Sequence, residues 1–116
     1  MKVEELDVFK LAHELTLEIY KITATFPENE RYGLTSQMRR AAMSIGSNLM
    51  EGSHRFSKKE YRPFIVISRG STGELKYQLL LSKDLSYIDI DTFEKVKTNI
   101  ERVSMMLSKL YSALDI

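Results

Sequence analysis

The last part of the sequence carries an apolar side chain at alternating steps of three and four residues. This seam consists of Phe93, Val96, Ile100, Val103, Leu107, Leu110 and Leu114. Such a/d spacing places the apolar groups along one side of an α-helix, which must pack against other helices to leave water. The rest of the chain is therefore expected to supply partner helices.

Two earlier segments show the same kind of periodicity. The first predicted helix runs from Val3 to about Thr25, with an apolar seam formed by Val8, Ala12, Leu15, Ile19 and Ile22. After a break at residues 27–33, the second helix is predicted to begin at Thr35, a good N-cap, and to end at Gly52. Its seam is formed by Met38, Ala42, Ile45 and Leu49.

The third predicted helix has a defined start and more apolar surface than one buried stripe requires. Ser57 and Glu60 have capping-box spacing, so we expect the helix to run from Ser57 to about Lys83 and to tolerate Pro63. Asp91 and Glu94 predict a similar start for the fourth helix. Residues 64–67 and 79–81 are apolar on more than one side of the third helix, which favours a subunit interface there.

These segments together predict one all-α domain over residues 1–116, folded as an antiparallel up-down four-helix bundle. Only 5 glycines and 2 prolines interrupt 116 residues, and a hydrophobic content of 43% is sufficient for a single core. The third helix leads us to expect a homo-oligomer.

The composition argues against several classes of protein. No apolar run approaches the ~20 residues of a membrane span, and the acidic N-terminus lacks the apolar run of a signal peptide. The absence of cysteine fits a reducing compartment, so we expect a cytoplasmic protein with no membrane partner. The two histidines, His13 and His54, are far apart and form no metal-ligand motif. No phosphate-binding or nucleophile motif occurs, and we expect neither a cofactor nor catalysis.

Charge is strongly segregated along the chain. Residues 35–83 hold 9 of the 17 basic residues and 3 of the 16 acidic ones, whereas the flanking segments are acidic. A seven-residue step, close to two helical turns, separates the members of a basic stripe. The stripe consists of Arg55, Arg62, Arg69, Lys76 and Lys83. A one-sided basic surface suggests an anionic partner.

Three interpretations of these cations follow from the sequence. They could neutralise the phosphates of RNA or another nucleic acid, with Arg40, Arg55, Arg62, Arg69 and Lys76 as the contacts. They could instead form a solvated helix face that maintains solubility. A third possibility is that Arg62 or Arg69 crosses a subunit boundary to an acidic first or last helix. No aromatic residue interleaves with the stripe to stack on bases.

A second set of polar residues predicts a structural role rather than a binding role. Asn48, Glu51, Arg55 and Glu74 could form a network between helices or subunits that fixes their register. Glu51 and Glu74 could also be imagined as a catalytic carboxylate pair, but pairing with Arg40 or Arg55 is the favoured interpretation. The chain would then be a structural module or an accessory subunit for another protein.

Several short segments resemble one known family. They are residues 34–42, Ser44-Ile45, Ser47-Asn48-Leu49, Glu51-Gly52, Arg55, Gly70-Ser71 with Glu74-Leu75, and residues 85–88. Taken jointly, these segments resemble the 23S rRNA-intervening sequence proteins over nearly the whole chain. The family commonly has proline where Gly46 stands, and it usually has Leu-Gly-Tyr where Leu85-Ser86-Tyr87 occurs.

The resemblance implies a four-helix bundle that assembles into a ring, typically a homopentamer. The family takes its name from a genomic location inside rRNA genes, and the resemblance implies no established biochemical activity. A similar bundle ring occurs in accessory proteins of diversity-generating retroelements, which bind nucleic acid and a reverse transcriptase. That parallel rests on the fold alone.

Overall fold

The computed structural model describes residues 2–114, which form four α-helices and two short 3-10 helices and include no β-strand. The α-helices are α1 (Asp7–Thr23), α2 (Leu34–Ser53), α3 (Lys58–Asp84) and α4 (Ile90–Ala113). The 3-10 helices are Val3–Glu5 and Glu28–Glu30. The prediction of an all-α chain is confirmed, and the arrangement is that of a four-helix bundle measuring 45 × 25 × 20 Å.

The helices pack in chain order around one core. Helix α1 contacts α2 and α4, and α3 contacts α2 and α4, so α1 and α3 lie on one diagonal of the bundle. The short connections make successive helices antiparallel, which brings the starts of α1 and α3 to the same end. The side formed by α1 and α2 is therefore opposite the side formed by α3 and α4.

The apolar seams form the core as the periodicity predicts. Met38, Ala42, Ile45 and Leu49 of α2 are all buried, as are the first five members of the α4 seam. Helix α3 adds Ile65, Leu75 and Leu79. Its core-facing stripe also contains Ser68, fully buried, whose hydroxyl donates to the Ile45 carbonyl at 2.9 Å. That hydrogen bond satisfies a polar group inside the α2–α3 contact.

Two predicted helix starts are wrong by one to two residues. Gly33, and not Thr35, is the N-cap of α2, and Thr35 is buried in the first turn. Asp89, and not Asp91, caps α4, because its carboxylate accepts from the Thr92 amide at 2.7 Å. The same bond lowers the pKa of Asp89. The predicted first helix is also interrupted, since the backbone is extended at Leu6 before α1 begins.

The predicted start of α3 is confirmed. The Ser57 hydroxyl accepts from the Glu60 amide at 3.2 Å, and the Glu60 carboxylate reaches back to the Phe56 amide at 3.3 Å. The helix continues through Pro63, which lies inside it. The capping box thus offsets part of the cost of the hydrogen bond that Pro63 cannot donate.

Helix α2 ends at Ser53, one residue after the predicted end at Gly52, and Gly52 itself has a packing role. It lies within α2, and no glycine of residues 2–114 has a positive φ. A Cβ at this position would lie 2.8 Å from the Cβ of Phe64 and 2.8 Å from a ring carbon of Tyr61. The missing side chain is therefore what lets the start of α3 approach the end of α2. Tyr61 is partly buried against this contact, and burial raises its pKa.

The opposite end of the bundle is held by the connections before α2 and before α4. The Tyr87 hydroxyl donates to Glu30 Oε2 at 2.7 Å, while Glu30 Oε1 accepts from the Leu34 amide at 3.3 Å. The Tyr87 ring also packs on Phe26, with ring centroids 5.2 Å apart. The bond to the Glu30 carboxylate raises the pKa of Tyr87. One carboxylate thus ties the two connections together and satisfies a free amide of α2.

Candidate functional site

Four members of the basic stripe lie along the side of α3 that faces α4, whereas Arg55 precedes the helix. The Arg62 guanidinium is 3.8 Å from the Tyr111 ring centroid, and the Lys83 ammonium is 4.6 Å from the Phe93 ring centroid. Between them, Lys76 Nζ is 2.8 Å from Glu101 Oε2. All three aromatic or acidic partners belong to α4. The seven-residue spacing therefore aligns these cations on one side of α3, next to the neighbouring helix.

These contacts leave few cations of the stripe unengaged. The Lys76 ammonium lowers the pKa of Glu101, and Lys83 also lies 3.5 Å from the Asp84 carboxylate. Arg62 is half-buried, and its Nε has no hydrogen-bond partner among residues 2–114. Exposed ion pairs contribute only ~0–1 kcal/mol each to stability. They nevertheless neutralise charge that phosphate contacts would need.

Arg69 and Arg40 differ from the other candidates because both are exposed and neither forms an ion pair within the described part of the chain. They do not form a common site. Arg69 lies at the groove between α3 and α4, whereas Arg40 belongs to α2. The five candidate phosphate contacts are therefore distributed over more than one surface of the protomer.

Arg55 follows α2 and pairs within its own turn. Its guanidinium is 3.3 Å from the Glu51 carboxylate and 4.6 Å from the Phe64 ring centroid. Glu51 thus pairs with Arg55, one of the two partners expected for a buried or interfacial carboxylate, but this pair is not buried within the protomer. Both side chains are substantially exposed.

The other two members of the predicted polar network lie apart from this pair. The Asn48 amide donates to the Ser44 carbonyl at 2.8 Å and to the Ser44 hydroxyl at 3.0 Å, and the Ser71 hydroxyl donates to the same Ser44 oxygen at 2.8 Å. Glu74 is exposed and makes no hydrogen bond from its side chain to any of residues 2–114. No single network joins Asn48, Glu51, Arg55 and Glu74 within one protomer.

The outward surface of α3 is apolar. We call it the outer α3 face and define it by residues at alternating steps of four and three, namely Val66, Gly70, Gly73, Tyr77 and Leu80. Val66 is 56% exposed and Tyr77 is 64% exposed, although both belong to a well-formed helix. A second apolar seam that packs against nothing in the protomer is typical of a surface that another molecule covers.

A groove of about 620 Å³ lies between this face and α4. Small residues form much of its lining, namely Gly70, Thr72 and Gly73 from α3 and Ser104, Ser108 and Ser112 from α4. Ile65, Leu107 and Tyr111 supply apolar walls, and Arg69 also lines it. Its shape suits an apolar side chain or a helix, because small residues allow close approach of another backbone.

Titratable side chains and helix hydropathy were the remaining places for a site within residues 2–114. Within residues 2–114, no group of three or more His, Asp or Glu side chains converges on a common point. None of the helices in this range has a stretch both long and apolar enough to cross a bilayer.

Sequence periodicity missed three residues that define these surfaces. Tyr111 and Glu101 engage the stripe from α4, but pairing between helices that are distant in sequence leaves no local pattern. The third is Phe56, which is fully exposed and directly follows Arg55. The only sequence signal for Phe56 is its position directly after Arg55, outside the helical periodicity of the stripe.

Comparisons with known proteins identify the family without assigning a function. The family model described as 23S rRNA-intervening sequence protein matches residues 4–109. A crystal structure of a protein with unknown function, from the S23 ribosomal protein family of Bacteroides thetaiotaomicron, superposes with a TM-score of 0.80. The two are 21% identical, and the match covers 90% of this chain and 97% of that one, which shows a shared fold. No curated protein matches the chain. Because the family model spans nearly all of the bundle, the chain belongs to the 23S rRNA-intervening sequence protein family.

Proposed function

We propose that this protein is a non-enzymatic, self-assembling helical module whose copies meet through the outer α3 face. Assembly into a ring, as a homopentamer, is part of this proposal. The name of the family gives no activity, and the similar crystal structure is of a protein with unknown function, so the geometry of this chain is what supports the proposal. The ring would be the functional unit, and it would present every other surface of the protomer several times.

The observation that carries the proposal is the pair of glycines inside α3. A Cβ at Gly70 or at Gly73 would meet no atom within 4 Å, so packing within the protomer requires neither glycine. Glycine in a helix interior costs ~1 kcal/mol relative to alanine. Two such residues on an exposed apolar face are best explained by a neighbouring helix that approaches the backbone closely.

A second exposed apolar patch supplies a complementary surface on the next copy. It consists of Leu17, Tyr20 and Met43, and the Tyr20 hydroxyl lies 3.4 Å from the Met43 sulfur. This patch is on the α1–α2 side of the bundle, opposite the α3–α4 side. Leu17 is ~15 Å along α1 and Gly70 is ~18 Å along α3, measured from starts at the same end. Surfaces at one level on opposite sides allow a head-to-tail contact between copies. Such contacts form a ring where the rotation from each copy to the next adds up to a full turn, and the proposed homopentamer requires this closure.

Light scattering on purified protein variants tests this assembly. Tyr77→Asp places a charge on the outer α3 face, and Gly73→Leu fills open space that a partner helix would occupy. We expect both variants to shift from an oligomer to the 13.4 kDa protomer while they remain helical. Tyr32→Asp is the matched control, since Tyr32 is 85% exposed and precedes α2 at the end of the bundle. A monomeric wild-type protein, or assembly of both α3 variants, would contradict the proposal.

Binding of RNA or another polyanion through the stripe is the second candidate function. Arg40 and Arg69 favour it, because they are exposed and have no ion pair within residues 2–114. It ranks below self-assembly because Arg55, Arg62 and Lys76 already contact Glu51, Tyr111 and Glu101, respectively. RNA affinity that falls steeply with salt and drops in Arg69→Ala would support it. No binding at low salt would exclude it.

A further inference from the structure

The connection between α2 and α3 presents an aromatic ring entirely to solvent. Phe56 has an exposed fraction of 102%, the highest among the exposed large apolar residues in the described part of the chain. A buried phenylalanine contributes ~1.5–3 kcal/mol to stability, and Phe56 contributes none of this in the protomer. Its position therefore calls for an explanation outside the protomer's own core.

The backbone around Phe56 is fixed, so the ring projects from a defined support. The Phe56 amide donates to Glu60 Oε1 at 3.3 Å, and the Arg55 amide donates to the Gly52 carbonyl at 3.0 Å. Ser57 follows at once as the N-cap of α3. A ring held in this way loses little conformational freedom when it stacks on a planar group.

Basic residues flank Phe56 in the sequence. Arg55, Lys58 and Lys59 are exposed, and neither lysine forms an ion pair within residues 2–114. Both lysines lie in the first turn of α3, where the helix dipole disfavours positive charge. Helix stability therefore does not explain their position. The two nearby carboxylates are already engaged, Glu51 by Arg55 and Glu60 by the Phe56 amide.

A shallow groove of about 520 Å³ lies beside the ring, lined by Glu51, His54, Arg55, Phe56 and Glu60. Arg55 lines the groove, and its guanidinium carbon also lies 4.6 Å from the centroid of the Phe64 ring. The groove gives a planar ligand a second wall next to Phe56. The exposed residues Lys58 and Lys59 directly precede Glu60, the α3 residue that lines the groove.

We propose that this connection binds single-stranded nucleic acid, with a base stacked on Phe56 and backbone phosphates contacting Lys58 and Lys59. Single strands fit better than duplexes because their bases are free to stack on an aromatic side chain. A lipid surface fits less well, since Phe56 is the one apolar side chain in the run from His54 to Lys59. The proposal uses a surface separate from the outer α3 face and holds whether or not the chain assembles.

A tryptophan probe reports the stacking directly. The chain contains no tryptophan, so Phe56→Trp introduces a single indole at the proposed site. We expect its fluorescence to be quenched in a saturable way by a short oligouridine at low salt, and to recover as salt is added. Tyr32→Trp provides the matched control at another exposed aromatic position, and its fluorescence should stay unchanged. Equal quenching of the two variants, or none in Phe56→Trp, would overturn the proposal.

Affinity measurements with a labelled oligouridine test the same contacts in the otherwise unmodified protein. Removal of one stacking ring in Phe56→Ala should weaken binding about 5- to 150-fold, whereas Tyr32→Ala should leave it unchanged. Combined Lys58→Ala and Lys59→Ala should reduce the slope of log affinity against log salt by about 1.4. A matched RNA duplex should bind the wild-type protein more weakly than the single strand does.

Other results would assign Phe56 to a different partner. If Phe56→Ala left oligouridine affinity intact but changed the oligomeric mass in light scattering, the ring would be a contact between copies. If Phe56→Ala instead abolished binding to vesicles of anionic phospholipid and left oligouridine binding intact, the partner would be a membrane surface. Either result would overturn the proposal. Because these variants leave the outer α3 face untouched, failure here would not bear on self-assembly.

Discussion

Ser86 is the one non-glycine residue of residues 2–114 with a positive φ, at 64°. It follows α3 in a turn where the Tyr87 amide donates to the Ser82 carbonyl at 2.9 Å and the Ser86 amide donates to Lys83. This pattern is a Schellman-type end of a helix, in which glycine is preferred because a Cβ is strained. The sequence departs from the family pattern at this position, where glycine is usual, and the geometry shows what the departure costs.

We predict that Ser86→Gly stabilises the protein. Relief of the left-handed strain, less the greater entropy that glycine gives the unfolded chain, should raise the free energy of unfolding by about 0.5–1 kcal/mol. The thermal midpoint should rise by about 2–5 °C in a calorimetric scan. Ser86→Ala is the matched control, because it removes the hydroxyl but keeps the Cβ. An equal gain from Ser86→Ala would show that backbone strain is not the cause.

At the scale of the elements, local patterns in the sequence predicted which faces of the helices are buried. The seams of α2 and α4 need only the 3.6-residue repeat, and Ser57 with Glu60 needs only a spacing of three. The predicted N-cap of α4 was Asp91 instead of Asp89, because the two residues have the same side chain and lie only two positions apart. Backbone conformation decides between them, and Asp89 is the extended one, with φ −81° and ψ 171°.

Contacts between helices could not be predicted in the same way. Gly52 has the sequence signature of a helix end, yet its function is to admit Tyr61 and Phe64 of α3. Gly70 and Gly73 lie inside α3, as the predicted bounds of that helix imply, yet a Cβ at either position would meet no atom within 4 Å. The difference between these glycines depends on what lies opposite each one, and a single sequence does not contain that information.

We predict opposite effects of alanine at Gly52 and at Gly70. At Gly52 the added methyl group would overlap Tyr61 and Phe64, which should lower the free energy of unfolding by about 1–3 kcal/mol. At Gly70 it would meet open space, and the better helix propensity should raise that free energy by about 0.5–1 kcal/mol. Urea unfolding at low protein concentration measures both changes in the free energy of unfolding of the protomer. Destabilisation by Gly70→Ala would mean that α3 is packed more closely than described.

At the scale of the whole molecule, charged and apolar surface occupy neighbouring faces of α3. The α3 part of the stripe predicted as a ligand surface lies against α4, where Glu101 and Tyr111 already engage it. The surface left without a partner is the neighbouring apolar face of the same helix. The sequence shows the seven-residue spacing of the cations. Which side of α3 they occupy relative to α4 depends on the packing of the bundle.

Self-assembly would make the stability of the molecule depend on its own concentration. Association that favours the folded state stabilises it by mass action, so the thermal midpoint of the wild-type protein should rise as protein concentration increases. Tyr77→Asp should lower the midpoint at high concentration and abolish this dependence, because it removes the association and leaves a side chain that is 64% exposed in the protomer. Tyr32→Asp should keep the wild-type dependence. A hundredfold dilution would shift a linked equilibrium by about 2.7 kcal/mol. A wild-type midpoint that stays constant over this dilution would show that the outer α3 face does not join copies of this chain.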